Sequence, residues 1–141
     1  MDITNAKISE LAELVQNRKL SAEEVCDHFL KRIESLDGKL NSFITVNANA
    51  RENARAVDEK INRGEQVGRL AGVPIAIKDL LCTRGLRTTA GSKILHNFVP
   101  PYSATVVNRL EASGAITIGK TNLDEFAMGS SNETSAFGKC F

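Results

Sequence analysis

G-A-I-T-I-G-K-T-N-L-D-E-F-A-M-G-S-S-N-E-T-S-A-F-G, residues 114–138, joins a β-branched apolar run to a Gly-Lys-Thr-Asn segment, an acidic-apolar stretch and a Gly-Ser-Ser loop. Its first eight residues, Gly114 to Thr121, match the phosphate-loop pattern G-x-x-x-x-G-K-[ST]. Such a loop needs a strand before its first glycine, four residues bent around an anion, and a helix opening at the Lys-Thr pair. The flanks predict another order. Residues 102–113 (Y-S-A-T-V-V-N-R-L-E-A-S) place Val106, Val107 and Leu110 on one helical face, with Ser103 as N-cap and Gly114 as the stop. Ala115 to Ile118 then favour an extended, buried strand that ends in a turn at Gly119 and Lys120. Helix, glycine stop, strand and turn argue against a nucleotide site and for an α/β architecture.

Upstream, residues 70–81 (L-A-G-V-P-I-A-I-K-D-L-L) predict an apolar strand that ends on Lys78 and Asp79. An ammonium in apolar surroundings snorkels, pairs with a carboxylate, or loses its proton and serves as a base. Residue types alone leave those readings open, the plainest being a surface pair with Asp79 or a nearby acid. Residues 84–92 (R-G-L-R-T-T-A-G-S) have the makeup of a loop that approaches a ligand, and residues 97–102 (N-F-V-P-P-Y) form a stiff entry into the helix after them.

The start of the chain reads as helices. Ile8, Leu11, Leu14 and Val15 recur at helical spacing up to Arg18. Ser21 and Glu24 form a capping box for a second helix with Val25, Phe29, Ile33 and Leu36 in a stripe and Gly38 as its end. Residues 41–46 (N-S-F-I-T-V) predict a short strand, and Ala50, Ala54, Val57 and Ile61 a third helix that ends near Gly64. The polar face of that helix, from Arg51 to Lys60, reads as solvated. Cys26 and His28 read as packing and surface positions, and His96 has no evident partner.

With 141 residues, 42% hydrophobic and 25% charged, the composition is that of a globular chain. Eighteen basic residues against seventeen acidic leave no basic field for nucleic acid. The three cysteines form no C-x-x-C pair, which suits reduced thiols, and no apolar run approaches the ~20 residues of a membrane span. Neither a G-x-S-x-G elbow nor an S-x-x-K motif occurs, so the chain offers a base without a placed nucleophile.

Four stretches together, residues 72–79 (G-V-P-I-A-I-K-D), 85–92 (G-L-R-T-T-A-G-S), 98–107 (F-V-P-P-Y-S-A-T-V-V) and 114–138, resemble the amidase signature family. Within it they are similar to the branch that supplies ammonia for tRNA-dependent amidation. The resemblance implies an α/β fold, a mixed sheet flanked by helices, of which residues 1–141 are the incomplete N-terminal portion of a single domain. Residues 1–64 are then a helical start, and residues 65–141 carry sheet and active-site loops. The family works through a Ser-cisSer-Lys triad, and the match makes Lys78 its general base. Met128, Gly129, Ser130 and Ser131 become a wall of the substrate site, while both triad serines are expected beyond Phe141. The 141-residue chain alone is therefore expected to lack glutaminase activity.

The implied reaction is glutamine hydrolysis that feeds ammonia to the conversion of Glu-tRNA(Gln) or Asp-tRNA(Asn). The implied partners are the B and C subunits of a heterotrimeric amidotransferase, with misacylated tRNA held mainly by the B subunit and no membrane. ATP and magnesium are expected on the partner, and no metal or cofactor in this chain. The implied compartment is the cytoplasm or an organelle matrix. Two alternatives remain at this point: a general small-amide amidase of the same family, and a non-catalytic truncated scaffold that binds partner subunits.

Overall fold

A computed structural model describes residues 2–141. Helix α1 (Ile8–Gln16) buries Leu11, Ala12 and Val15 and leaves Ile8 exposed at its first turn. Helix α2 (Ala22–Leu40) begins with the expected capping box: Ser21 Oγ accepts from Glu24 N, and the Glu24 carboxylate accepts from Ser21 N. Contrary to expectation, the helix runs past Gly38, and the cause is local. The left-handed stop falls on Asn41 (φ +54°), and the Asp37 carboxylate accepts from Ser42 N and Phe43 N, so the helix end is satisfied three residues later. Leu36, read as part of the stripe, is exposed near that end.

Strand β1 (Phe43–Val46) leads into α3 (Ala50–Asn62), which buries Ala50, Ala54 and Ile61 against α2. The polar face of α3 is more than solvated surface. Arg51 and Arg55 reach Asp27 and Glu23 on α2, and the Asp58 carboxylate accepts from Ala22 N and Glu23 N at 2.7 and 3.0 Å. Asp58 thus caps α2 from a neighbouring helix, where the open N–H groups and the helix dipole favour a carboxylate.

Strand β2 (Pro74–Lys78), helix α4 (Thr105–Ala112) and strand β3 (Ile116–Thr121) complete the architecture. The sheet order is β1-β3-β2, with β3 antiparallel to β1 and parallel to β2, a mixed sheet as expected. Ile116 and Ile118 join the core formed by α1, α2 and α3. Thr117, the residue between them, donates its hydroxyl to Glu111 of α4, so helices cover both faces. The α4 reading needs two corrections. Val107 is fully buried whereas Val106 is 46% exposed, and the helix starts at Thr105 with no side-chain cap. The Ser103 hydroxyl instead accepts from Arg84 N and ties the preceding loop to the helix entry.

Gly114 is the predicted stop, at φ +89°, and a Cβ there would lie 2.8 Å from Ala71 Cα. Gly119 is not a turn. It lies inside β3, where a Cβ would meet Thr45 O at 2.7 Å and Phe43 Cδ1 at 2.8 Å, so the strand continues because the neighbouring backbone and ring close over it. Opposite this point the β2 register shifts between Ile75 and Ala76, which face Thr117 and Gly119. The bulge places Lys120 across from Ile77. Strand β3 occupies residues 116–121, where the phosphate-loop pattern would need a bent loop and the opening of a helix.

Candidate active site

Parallel strands β2 and β3 end side by side, with Lys78 paired to Thr121, and two loops leave from these ends. One spans 79–104 and the other 122–141. The outer ends of parallel strands in α/β sheets are where such folds place ligands. Lys78, the last residue of β2, is exposed, and among the described residues its amine has no hydrogen bond or ion pair. It shares an exposed face with Ala76 and Leu80, while Ile77 and Asp79 point the other way and are buried.

Behind Lys78 lies a buried polar cluster. Asp79 accepts at Oδ2 from Thr89 N at 2.8 Å and from Thr89 Oγ1 at 2.5 Å, and its backbone carbonyl accepts from Ala90 N. Its Oδ1 has no hydrogen-bond partner but sits 3.4 Å from Lys120 Nζ. Lys120 is not the turn residue that the sequence suggests: it is fully buried and donates to Leu81 O at 2.8 Å and Thr88 Oγ1 at 2.7 Å. Burial pushes its ammonium below the ordinary lysine value, and the Asp79 carboxylate opposes that shift. The lysine–aspartate pairing expected near Lys78 therefore exists, but with Lys120 as the cation, in the interior.

The second loop is wound around another carboxylate. Asp124 accepts from the backbone N–H groups of Ser131, Asn132 and Thr134 and from the Thr134 hydroxyl, at 2.8 to 3.2 Å. The backbone donors of Thr134 and Asn132 are the chief reasons why its pKa is pushed down to about 2. Gly129 passes so close that a Cβ there would lie 2.4 Å from the carboxylate carbon. Asp124 thus sets the course of the residues read as a substrate wall. Met128, Gly129, Ser130 and Ser131 are all exposed, Met128 at 84%.

The two loops are joined to each other. Phe126 N donates to Ala90 O, Ala136 N to Gly91 O, and Ser92 Oγ to Glu125 Oε1. At this seam Ala90, Phe126 and Ala127 hold φ between +51° and +59°, a region that residues with a Cβ seldom occupy. Strain of this kind persists only where surrounding contacts over-determine it, and it gathers at ligand sites. Arg87 adds a brace between loop and sheet, donating to Thr45 Oγ1 and Ile44 O.

Chemically, the arrangement presents an exposed amine at the end of β2 and, in the loop after β3, exposed hydroxyls on a segment tied to Asp124. The Ser131 hydroxyl donates to Glu133, and no hydrogen bond among the described residues links Lys78 to Ser130 or Ser131, so neither serine is set up as an activated nucleophile. No group of three or more His, Cys, Asp or Glu side chains among the described residues is arranged to hold a metal ion. No helix among them is long and apolar enough to cross a membrane. His28 meets Thr4 and His96 meets the Lys93 carbonyl, which supplies the partner that the sequence did not reveal. Sequence reading missed the structural weight of Asp124, although an aspartate a few residues before G-S-S-N-E-T is a recognisable signal for a side chain that captures its own loop.

The chain is similar to known proteins along nearly its whole length. A family model described as Amidase matches residues 24–140. The A subunit of glutamyl-tRNA(Gln) amidotransferase from Bdellovibrio bacteriovorus is 62% identical over 138 residues, which cover 98% of this chain and 28% of that protein. Among solved structures, the A subunit of the Thermotoga maritima glutamyl-tRNA(Gln) amidotransferase is 36% identical with a TM-score of 0.78, across 98% of this chain and 27% of the other. The native peptide amidase of Stenotrophomonas maltophilia is 30% identical with a TM-score of 0.90, across 99% and 30%. The chain spans somewhat more than a quarter of the length of each.

Proposed function

The chain belongs to the amidase family, and from that premise we propose that it is the N-terminal part of the A subunit of a tRNA-dependent amidotransferase. The observation that carries this reading is the 62% identity to a glutamyl-tRNA(Gln) amidotransferase A subunit, twice the identity to the peptide amidase. In the complete protein a serine outside these residues attacks the side-chain amide of glutamine and forms an acyl-enzyme ester. Ammonia leaves, and water then releases glutamate. Lys78 is the general base that, in neutral form, draws the proton from the nucleophile through a bridging serine.

A lysine performs that task near neutral pH only when desolvation lowers its pKa from ~10.4. Lys78 is exposed on the face shared with Ala76 and Leu80, so the covering must come from further chain laid on that face. The Met128 to Ser131 loop supplies a wall for the glutamine side chain. The B and C subunits are the partners, with ATP, magnesium and most contacts to misacylated tRNA on the B subunit.

The close structural likeness to the peptide amidase supports a second reading, an amidase that acts on small amides without partner subunits. Glutamine hydrolysis by the complete protein, assayed with and without the B and C subunits, separates the two. Lys78→Ala is expected to lower turnover at least ~100-fold across the pH range, the loss that removal of a general base produces. Near-normal turnover in that variant would make Lys78 a structural lysine.

A further inference from the structure

The buried cluster behind Lys78 is built differently from a plain ion pair. Lys120 sits 3.4 Å from Asp79 Oδ1 without a hydrogen bond to it, and directs its donors to Leu81 O and Thr88 Oγ1. A fully buried ammonium is costly, and an ion pair in the interior is a weak source of stability. Here the cation reaches the turn that follows Lys78 directly: Leu81 N donates to Lys78 O at 3.0 Å, and Leu81 O accepts from Lys120. On the other side, Asp79 N donates to Thr121 O, which anchors the residue after Lys78 to the end of β3. The β3 bulge is what puts Lys120 opposite Ile77, on the sheet face away from the exposed Lys78 amine.

We propose that Lys120, Asp79 and Thr88 form an internal brace that positions Lys78 for proton transfer by locking the 78–81 turn to β3 and to the Thr88–Thr89 segment. These are positioning residues: Lys120 holds the backbone at Leu81, Thr88 holds Lys120, Asp79 follows Lys78 directly, and the Lys78 amine is left free. The brace also fixes the loop seam, because Ala90, which bonds the Asp79 carbonyl, accepts in turn from Phe126 N. One buried unit thereby holds both the base and the root of the substrate wall. This assignment rests on the glutaminase reading above.

The test uses the full-length protein in its amidotransferase complex and measures ammonia release from glutamine. Thr88→Val keeps the side-chain shape but removes the acceptor for Lys120, Thr88→Ser restores the acceptor, and Lys120→Met removes the cation. Thr88→Val and Lys120→Met are expected to lower kcat about 10–100-fold with little change in KM, the size of effect that a misplacement of about 1 Å produces, while Thr88→Ser stays close to wild type. Thermal unfolding and the folded fraction are followed in parallel. If Lys120→Met fails to fold, the near-isosteric Thr88→Val carries the test.

Unchanged kcat in Thr88→Val and Lys120→Met, with Lys78→Ala inactive, overturns the brace alone. So does a loss of activity that merely tracks the folded fraction, with Thr88→Ser no better than Thr88→Val. A wild-type complex that releases no ammonia, or a Lys78→Ala variant with full turnover, overturns the glutaminase reading and the role assigned to the brace with it.

Discussion

Asp124 shows how one side chain can hold a loop in place. Its folded-state pKa of about 2 lies below the ordinary value of 3.8, because the backbone donors of Thr134 and Asn132 favour the charged form. The sign follows from linkage: the contribution of the carboxylate is fully present above the unfolded value near 3.8 and is lost as pH falls through about 2. Hydrogen exchange at Ser131, Asn132 and Thr134 should therefore lose protection as pH drops between those values. Asp124→Asn should lack this acid-dependent step and show weaker protection at neutral pH. Equal protection at both ends of the range would mean that the loop is held by something other than the carboxylate.

At the scale of elements, the β3 bulge decides the geometry of the site. Gly119 sits at it and lets β1 approach, since Thr45 O and the Phe43 ring occupy the space a side chain would need. Gly119→Val should cost about 1–3 kcal/mol through overpacking and should also disturb the pairing of Lys120 with Ile77 and Thr45. Chemical unfolding reads the first effect, and amide shifts along β1 read the second. A variant as stable as wild type, with β1 unmoved, would show that the strand relaxes freely. The α2 N-terminus makes a companion case. Asp58→Ala removes an acceptor for Ala22 N and Glu23 N and should cost about 0.5–2 kcal/mol, as loss of a cap does, although Asp58 lies on another helix. Denaturation of Asp58→Ala beside Ser21→Ala tests it: a smaller effect for Asp58 than for an exposed α3 residue such as Glu52 would refute the capping role.

Across the whole molecule, apolar surface and sheet edges remain open. β1 and β2 flank β3, so each leaves an outer edge. Leu80, Ile94, Val99, Tyr102, Val106 and Met128 are exposed, Ile94 at 78%. A net charge of +1 provides little repulsion between copies. Open edges and exposed apolar side chains are templates for association. The 141-residue chain by itself should bind a hydrophobic dye and self-associate at about 10–100 µM, a range in which exposed apolar surface drives aggregation. Sedimentation velocity checks this, and a monomer that binds no dye would show that these surfaces do not act as a continuous patch.

Local patterning suffices for much of this protein. The Ser21–Glu24 box, the Gly114 stop and the β-branched run after it act within a few residues, so the start of α2, the helix-to-strand order and the rejection of a phosphate loop follow from the sequence directly. The position of Lys78 at a strand end was legible for the same reason. The fate of Lys120 was not. Strict alternation would set it on the side of Ile116 and Ile118, and the bulge opposite Ile75 and Ala76 sends it across from Ile77 instead. Asp58 at the head of α2, and the Asp79–Lys120 contact beneath Lys78, likewise join residues far apart along the chain. Spacing in sequence carries no information about such contacts, because packing and strand register create them only after the chain has folded.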